Sequence, residues 1–264
     1  MRPYLTHKAI EITHAITTAM SDVFKADEAE ESAEDEDELR SRLNRLVEGL
    51  QLDWTDLPPS VQNIIEPMAK DGAAEALEQI DASAQTTTDL ANERATQWAR
   101  ERSAELVGMK YGEDGELVDN PDAKWSITES TRTMVKDLVT KAIDEGWSND
   151  RLAQEIGRDE AFSDDRAELI ARTETAMADV QGNMVAYKAA ADSGIELKKE
   201  WLTAEDDLVS DDCQLNADAG PIDLDDAFPS GASAPPEHPN CRCDVLPVRL
   251  ARDEDADQGD ESAD

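Results

Sequence analysis

Apolar residues recur at three- and four-residue spacing along the first 110 residues, which predicts helices. The pattern indicates an amphipathic helix over 3–25, a short helix over 37–51 and mainly helical sequence over 60–109, with an interruption near 70–72. The prolines of "DLPPS" break the chain before the last of these. The apolar stripe of the first helix consists of Leu5, Ala9, Ile12, Ile16, Met20 and Val23.

The helical spacing continues from residue 126 and changes after Gly194. We expect a helix from 126 to Gly146, a short one over 148–157 and a long one over 163–194. Residues 195–203 alternate as a strand does, and the chain from there to Pro247 is rich in Asp, Gly and Pro. The core stripe expected for the long helix is Leu169, Thr173, Met177, Val180, Met184 and Tyr187.

These elements predict an α+β fold, mainly α-helical, in which a helical N-terminal part precedes a helix-plus-small-β C-terminal domain. The turn-rich segment 111–125 is the candidate domain boundary. The predicted divisions are an N-terminal helix at 1–25, an acidic linker at 26–38, a helical region at 39–125, a C-terminal domain at 126–250 and a disordered acidic tail at 251–264.

The chain is strongly acidic, with a formal net charge of −37 from 62 acidic and 25 basic residues. Residues 26–38 hold nine acids and residues 253–264 hold seven, without a base, so we expect both tracts to be disordered. The charge disfavours binding of nucleic acid, unless Arg94, Arg100, Arg102 and Lys110 cluster locally. An acidic surface promotes solubility, and the scarcity of lysine also suggests adaptation to high salt.

The cellular context is inferred from segments and residue types that the sequence lacks. No segment has the apolar length of a signal-peptide core or of a membrane span. The three cysteines, an odd number, argue against a secreted disulfide scaffold. We therefore expect a protein made in a reducing compartment, with no membrane contact.

Four residues with metal-ligating side chains lie in the loop-rich C-terminal part: Cys213, His238, Cys241 and Cys243. On a strand, Cys241 and Cys243 would point to the same side. Three thiolates and one imidazole form a closed tetrahedral sphere of the structural zinc type, and a segment with so few apolar residues needs such a cross-link. Two alternatives remain open: a disulfide from Cys213 to one of the other cysteines, or simple burial of all three.

Two further groups have polar side chains suited to tertiary contacts. Arg172 and Glu174 in "ARTETA" either belong to a salt-bridged helix surface or clamp the loops after the helix. Asp206 and Asp207 beside Trp201 are interpreted as an acidic loop, because no histidine or nucleophilic serine accompanies them in a catalytic pattern.

The ordered series "ARTETAMADVQGN", "EWLTAEDDLVSDDCQL" and "FPSGASAPPEHPNCRCDVLPV" resembles the phage Mu F-like head morphogenesis family, the minor head proteins of tailed viruses. The resemblance covers roughly 126–248. It implies a non-enzymatic protein of the virion, assembled in the host cytoplasm and lying in the head near the portal. The implied partners are portal, major capsid and scaffold proteins, and the implied role is procapsid assembly with an influence on DNA packaging or delivery.

By this resemblance, particular residues match the motifs of the family. Ser210 stands where many members have a first cysteine, and Leu208 stands where an arginine is common. We expect Cys213 and the later Cys/His residues to form the metal site in altered form. The matching residues are Arg172, Thr173 and Glu174 in the helix motif, Trp201 and Thr203 in the strand motif, and Pro239, Asn240, Cys241, Arg242 and Cys243 in the closing motif.

An enzymatic alternative comes from the same resemblance, because domains of this kind are also joined to toxin modules. Its testable form is a metal-dependent hydrolase that uses His238 and the aspartates. A DNA-binding adaptor is the third hypothesis, and the acidic charge argues against it.

Overall fold

The computed structural model describes residues 54–145, 147 and 149–250, together with 5, 7–16, 18, 41 and 45. The predicted acidic linker, the acidic tail and most of the predicted helix at 37–51 lie outside the described residues, as do Gly146 and Ser148. No helix in the described part of the chain is long and apolar enough to cross a membrane.

Seven segments of regular helix and five strands follow one another over 57–249. The α-helices are α1 (Leu57–Gln79), α2 (Gln85–Glu105), α3 (Ile127–Asp144), α4 (Asn149–Arg158), α5 (Asp164–Asp192) and α6 (Asp211–Asp218), with a 3-10 turn at Glu160–Phe162. The strands are β1 (Met109–Tyr111), β2 (Leu117–Asp119), β3 (Leu197–Leu202), β4 (Ile222–Asp223) and β5 (Asp244–Arg249). The predicted mainly helical α+β fold is confirmed.

The described residues divide into two compact units, of which the first comprises those within 1–62 and 100–171. Its core joins the N-terminal helical residues 7–16 to α3, α4 and the start of α5. The predicted stripe is confirmed where it is described, since Leu5, Ala9, Ile12 and Ile16 are buried. Segment 111–125 lies inside this unit as the β1–β2 hairpin and its turn, and the predicted domain divisions stay predictions.

The second unit comprises the described residues within 63–99 and 172–264. Its main core lies between α1, α2, α5 and a three-stranded antiparallel sheet of order β4-β3-β5. Small residues let α1 and α5 approach closely: a Cβ at Gly182 would overlap the Ala69 carbonyl, and one at Gly72 would lie 2.8 Å from the Asp179 carbonyl. This part of the fold therefore depends on glycines at the crossing.

Three expectations about individual elements were wrong, and one helix was not predicted. Helix α1 runs unbroken through 70–72, because Gly72 serves helix packing there, and the break falls after Gln79 instead. Leu169 is exposed rather than part of the core stripe, since alanines form much of the buried face of α5. Cys241 and Cys243 precede β5 rather than lying on a strand, and the loop-rich segment contains α6, for which no helix was predicted.

Candidate metal centre

Strand β3 provides one wall of the centre because alternate residues of the strand are buried: Leu197, Lys199 and Trp201. The rings of Trp201 and Phe228 meet edge to face, with centroids 5.0 Å apart and planes at 79°. With the three cysteines they form a small core of their own. Both aromatic rings therefore shield the sulfurs from water.

Helix α6 positions the first cysteine. The Ser210 hydroxyl caps the helix by accepting a hydrogen bond from the Cys213 N–H at 3.2 Å. The cap fixes the first turn, and Cys213 is left 1% exposed. Ser210, which stands where the resemblance implies a cysteine, thus acts as the N-cap of the helix that carries Cys213.

A tight turn positions the other three side chains. The Cys241 N–H donates to the His238 carbonyl at 3.1 Å, and Asn240 adopts a left-handed conformation with φ of 61°. Helix α5 holds this turn from outside: Arg172 donates to the Asn240 side chain at 3.0 Å, and the Thr173 hydroxyl accepts the Asn240 N–H at 3.0 Å. The left-handed residue is of a type that tolerates such a φ at small cost.

The donor atoms converge. The Cys213 sulfur lies 3.7 Å from the Cys241 sulfur and 3.7 Å from His238 Nε2, and the three sulfurs all lie within 4.8 Å of one another. Zinc with tetrahedral ligands separates two sulfurs by about 3.8 Å, and a sulfur from a nitrogen by about 3.6 Å. The sulfur spacing therefore fits a metal held by the three cysteines, and His238 Nε2 lies near the Cys213 sulfur but is not part of the group whose atoms all lie within 4.8 Å. A disulfide needs about 2.05 Å, and all three cysteines are free.

The histidine ring is oriented for ligation. His238 Nδ1 lies 3.0 Å from the Pro239 carbonyl oxygen, which accepts a hydrogen from that nitrogen. The other nitrogen, Nε2, then carries the lone pair and faces Cys213. A backbone acceptor that fixes the tautomer in this way is common behind metal-bound histidines.

Burial disfavours the thiolate forms of Cys213 and Cys243 by raising the pKa of each. It raises the pKa of Cys243 to about 12, against the opposing effect of the Trp201 indole N–H, and it raises the pKa of Cys213 despite the nearby Ser210 hydroxyl. The indole N–H is buried and has no hydrogen-bond partner of ordinary geometry in the described residues. A donor held in this position suits a charged sulfur better than a neutral thiol, so the residues fit a thiolate-bound metal.

The loop that precedes α6 is held by an ion pair. Arg242 donates two hydrogen bonds to the Asp206 carboxylate, both of 2.6 Å. These bonds hold the pKa of Asp206 below its usual range. Asp206 therefore makes a structural contact, in keeping with its interpretation as part of an acidic loop. The nearby Leu208 is 77% exposed.

Sequence reasoning missed two buried polar residues beside the centre. The fully buried Lys199 donates to the carbonyls of Leu224 at 2.9 Å and Ser233 at 2.7 Å, and burial lowers its pKa. Asn216 donates to Ser230 at 2.9 Å and accepts the Ser230 N–H at 3.0 Å. The alternation of β3 could have identified Lys199, because it occupies a core position between Leu197 and Trp201.

The remaining motif residues take separate positions. Glu174 is buried in α5, and the Thr203 hydroxyl accepts the Glu205 N–H at 3.4 Å after β3, whereas Pro239 is exposed in the turn. The basic residues of α2 form no open patch: Arg94 pairs with Asp192, Arg100 stacks on Tyr111 and Arg102 is buried. They are therefore not available as a group for phosphate binding.

Comparison with known proteins identifies the domain that carries this cluster. Residues 133–246 match the family model described as Phage Mu protein F like protein. No curated protein and no solved structure matches the chain. The matched region runs from α3 to β5 and contains the long helix α5, the three-stranded sheet and the Cys/His cluster described above.

The matched family is one of structural head proteins of phages. The match therefore suggests a phage head morphogenesis protein. Residues 133–246 of the chain match the Phage Mu F-like family, which confirms the predicted resemblance for this region. At this coarse level the matched family suggests a location in the virion head.

Proposed function

We propose that this chain is a minor head protein that acts at the portal vertex during procapsid assembly and influences DNA packaging or delivery. The match of residues 133–246 to the Phage Mu F-like family carries the proposal. The portal protein is the direct partner, with major capsid and scaffold proteins as further contacts. The protein is assembled in the host cytoplasm and stays in the virion head near the portal.

The metal centre serves this role by closing the C-terminal lobe. Cys213, His238, Cys241 and Cys243 would hold one Zn²⁺, which supplies the negative sulfurs with a counter-charge and cross-links α6 to the turn before β5. The convergence of the three sulfurs, with His238 Nε2 at 3.7 Å from the Cys213 sulfur, supports this interpretation. A lobe stapled in this way keeps a rigid surface for assembly contacts.

The same geometry disfavours a hydrolase. Catalytic zinc keeps a position open for water, whereas four protein donors fill a tetrahedral sphere. The three cysteines also pack with Trp201 and Phe228 in a small apolar core. A hydrolytic or transferase rate that disappears in His238→Ala, with the fold intact, would favour the enzymatic alternative.

DNA contact through a basic patch is not part of the proposal. The net charge is −37, and Arg94 and Arg102 already pair with Asp192 and Glu105. Any influence on packaging would then act through partner proteins.

Co-purification with the portal protein encoded in the same viral genome tests the assembly role. We expect a complex at both low and high salt, because an acidic protein of this composition suits concentrated salt. Failure of the two purified proteins to associate under either condition would contradict the proposal.

A further inference from the structure

Strand β5 has apolar side chains on both of its faces. Val245 points into the core and is 1% exposed, whereas Leu246 and Val248 alternate to the opposite side. Leu250 continues this side, since its N–H still donates to the Glu196 carbonyl at 3.1 Å. A strand with one solvated face normally carries polar residues there, and apolar residues on both faces are typical of a strand covered on both.

Leu202 of β3 adds to the same surface. It lies on the side of β3 away from Trp201, next to Glu200, whose partner across the strands is Leu246. Leu202, Leu246 and Leu250 are 39%, 38% and 41% exposed. We call the surface of Glu196, Lys198, Glu200, Leu202, Leu246, Val248 and Leu250 the outer sheet face.

The outer edge of β5 is poorly suited to pairing with another strand. The Val245 carbonyl accepts the Tyr187 hydroxyl at 3.3 Å, and the Val245 N–H donates to the Asp244 side chain at 2.7 Å. Pro247 has no N–H to offer. A partner that binds here must therefore lie on the face of the sheet and cannot extend it.

The charges on the outer sheet face indicate the chemistry of its partner. Lys198 pairs with Asp223 at 3.3 Å and is neutralised. Glu196 and Glu200 have no ion-pair partner in the part of the chain that the structure describes. The surface thus combines exposed leucines with two uncompensated carboxylates, which is complementary to apolar side chains flanked by lysine or arginine.

We infer that the outer sheet face docks a segment of a partner protein that presents apolar side chains flanked by basic ones. The inference rests on the proposed function in one respect, since that function makes the portal subunit the partner. Beyond that function, the inference specifies which surface of this chain the portal subunit contacts, namely the outer sheet face. The exposed leucines, the closed edge and the two glutamates without an ion-pair partner among the described residues carry it.

The test compares variants of the full chain for binding to the purified portal protein. Leu246→Gln and Glu200→Arg change the outer sheet face, and we expect each to weaken binding at least tenfold. Leu208→Gln is the matched control, because this leucine is more exposed but lies in the loop before α6, outside the face. Far-ultraviolet circular dichroism and metal content establish that each variant is folded.

The outcomes separate the inference from the proposed function. Equal portal binding by wild type and all three variants would overturn the docking site and leave the portal role intact. No binding by wild type would overturn the portal role and, with it, the portal subunit as the partner that docks on the outer sheet face. Self-association that is lost only in Leu246→Gln, without an effect on portal binding, would show that a second copy covers the face and would overturn the inference.

Discussion

The N–H of Asn240 donates a hydrogen bond to the hydroxyl of Thr173 at 3.0 Å, across 67 positions of sequence. The next residue after Asn240 is Cys241, so this contact ties the cysteine turn to α5. Arg172 adds a second bond to the Asn240 side chain. The helix motif and the closing motif thus meet at one left-handed residue.

Replacing Thr173 by valine should destabilise the fold by about 1 kcal/mol, because the Asn240 N–H loses its acceptor while the side-chain volume is kept. Chemical denaturation followed by circular dichroism measures the change. Thr173→Ser keeps the hydroxyl and is the control. Equal losses in both variants would show that the methyl group matters and the hydrogen bond does not.

Gly182→Ala should destabilise the second unit by about 1–3 kcal/mol, because the new methyl group would overlap the Ala69 carbonyl of α1. Gly157 is the matched control: it also lies in a helix, but nothing stands within 4 Å of its Cβ position. Gly157→Ala should therefore stabilise the protein by about 0.5–1 kcal/mol. Thermal unfolding of both variants measures the contrast, and a neutral Gly182→Ala would contradict the close crossing.

Lys199→Met should cost about 1–3 kcal/mol near neutral pH, because the Leu224 and Ser233 carbonyls lose their donor. Burial lowers the pKa of Lys199, so the unfolded chain binds this proton more tightly than the folded protein does. Wild-type stability relative to the variant should therefore rise as the pH increases from the lowered pKa of the folded state toward the ordinary lysine value.

Denaturation curves of both proteins across the alkaline range check this sign. A stability difference that shrinks with rising pH would mean that the ammonium charge is favoured in the folded state. The assignment of burial as the dominant effect on Lys199 would then be wrong.

Much of the second unit could be predicted from the sequence, because periodic apolar positions and glycine stops are local signals. The strand Leu197–Leu202 and the long helix Asp164–Asp192 agree with them within a few residues. The uninterrupted α1 could not be predicted in this way. Gly72 is a breaker in isolation, and only its contact with α5 reveals why the helix tolerates it.

The residues of the candidate site were predicted, but the elements and contacts that bring them together were not. Spacing suggested that Cys213, His238 and the later cysteines belong together, although the ligand set itself stays a prediction. Helix α6 was missed because its eight residues lack an apolar stripe, and the Ser210 cap followed by two acids was the signal available. The contact of Thr173 with Asn240 depends on tertiary packing, which no local pattern encodes.

Removal of the metal should unfold the C-terminal lobe or lower its melting temperature, because the binding free energy is part of the folding free energy. The metal can be removed from the wild-type protein by dialysis against a strong chelator. The Cys213→Ser variant tests the same effect by removing one proposed ligand. We expect Cys213→Ser to lose the metal and to melt lower, while Ser210→Ala, which removes only the helix cap, should keep the metal and cost about 1 kcal/mol. Equal metal content in Cys213→Ser and wild type would exclude Cys213 as a ligand.

The most direct test of the metal centre is X-ray absorption at the zinc edge, on protein whose bound metal has been counted. We expect one zinc per chain, with three sulfurs at about 2.3 Å and one nitrogen at about 2.0–2.1 Å. A chain without bound metal that has reactive thiols would contradict the metal centre, and so would zinc with a water oxygen in place of the His238 nitrogen.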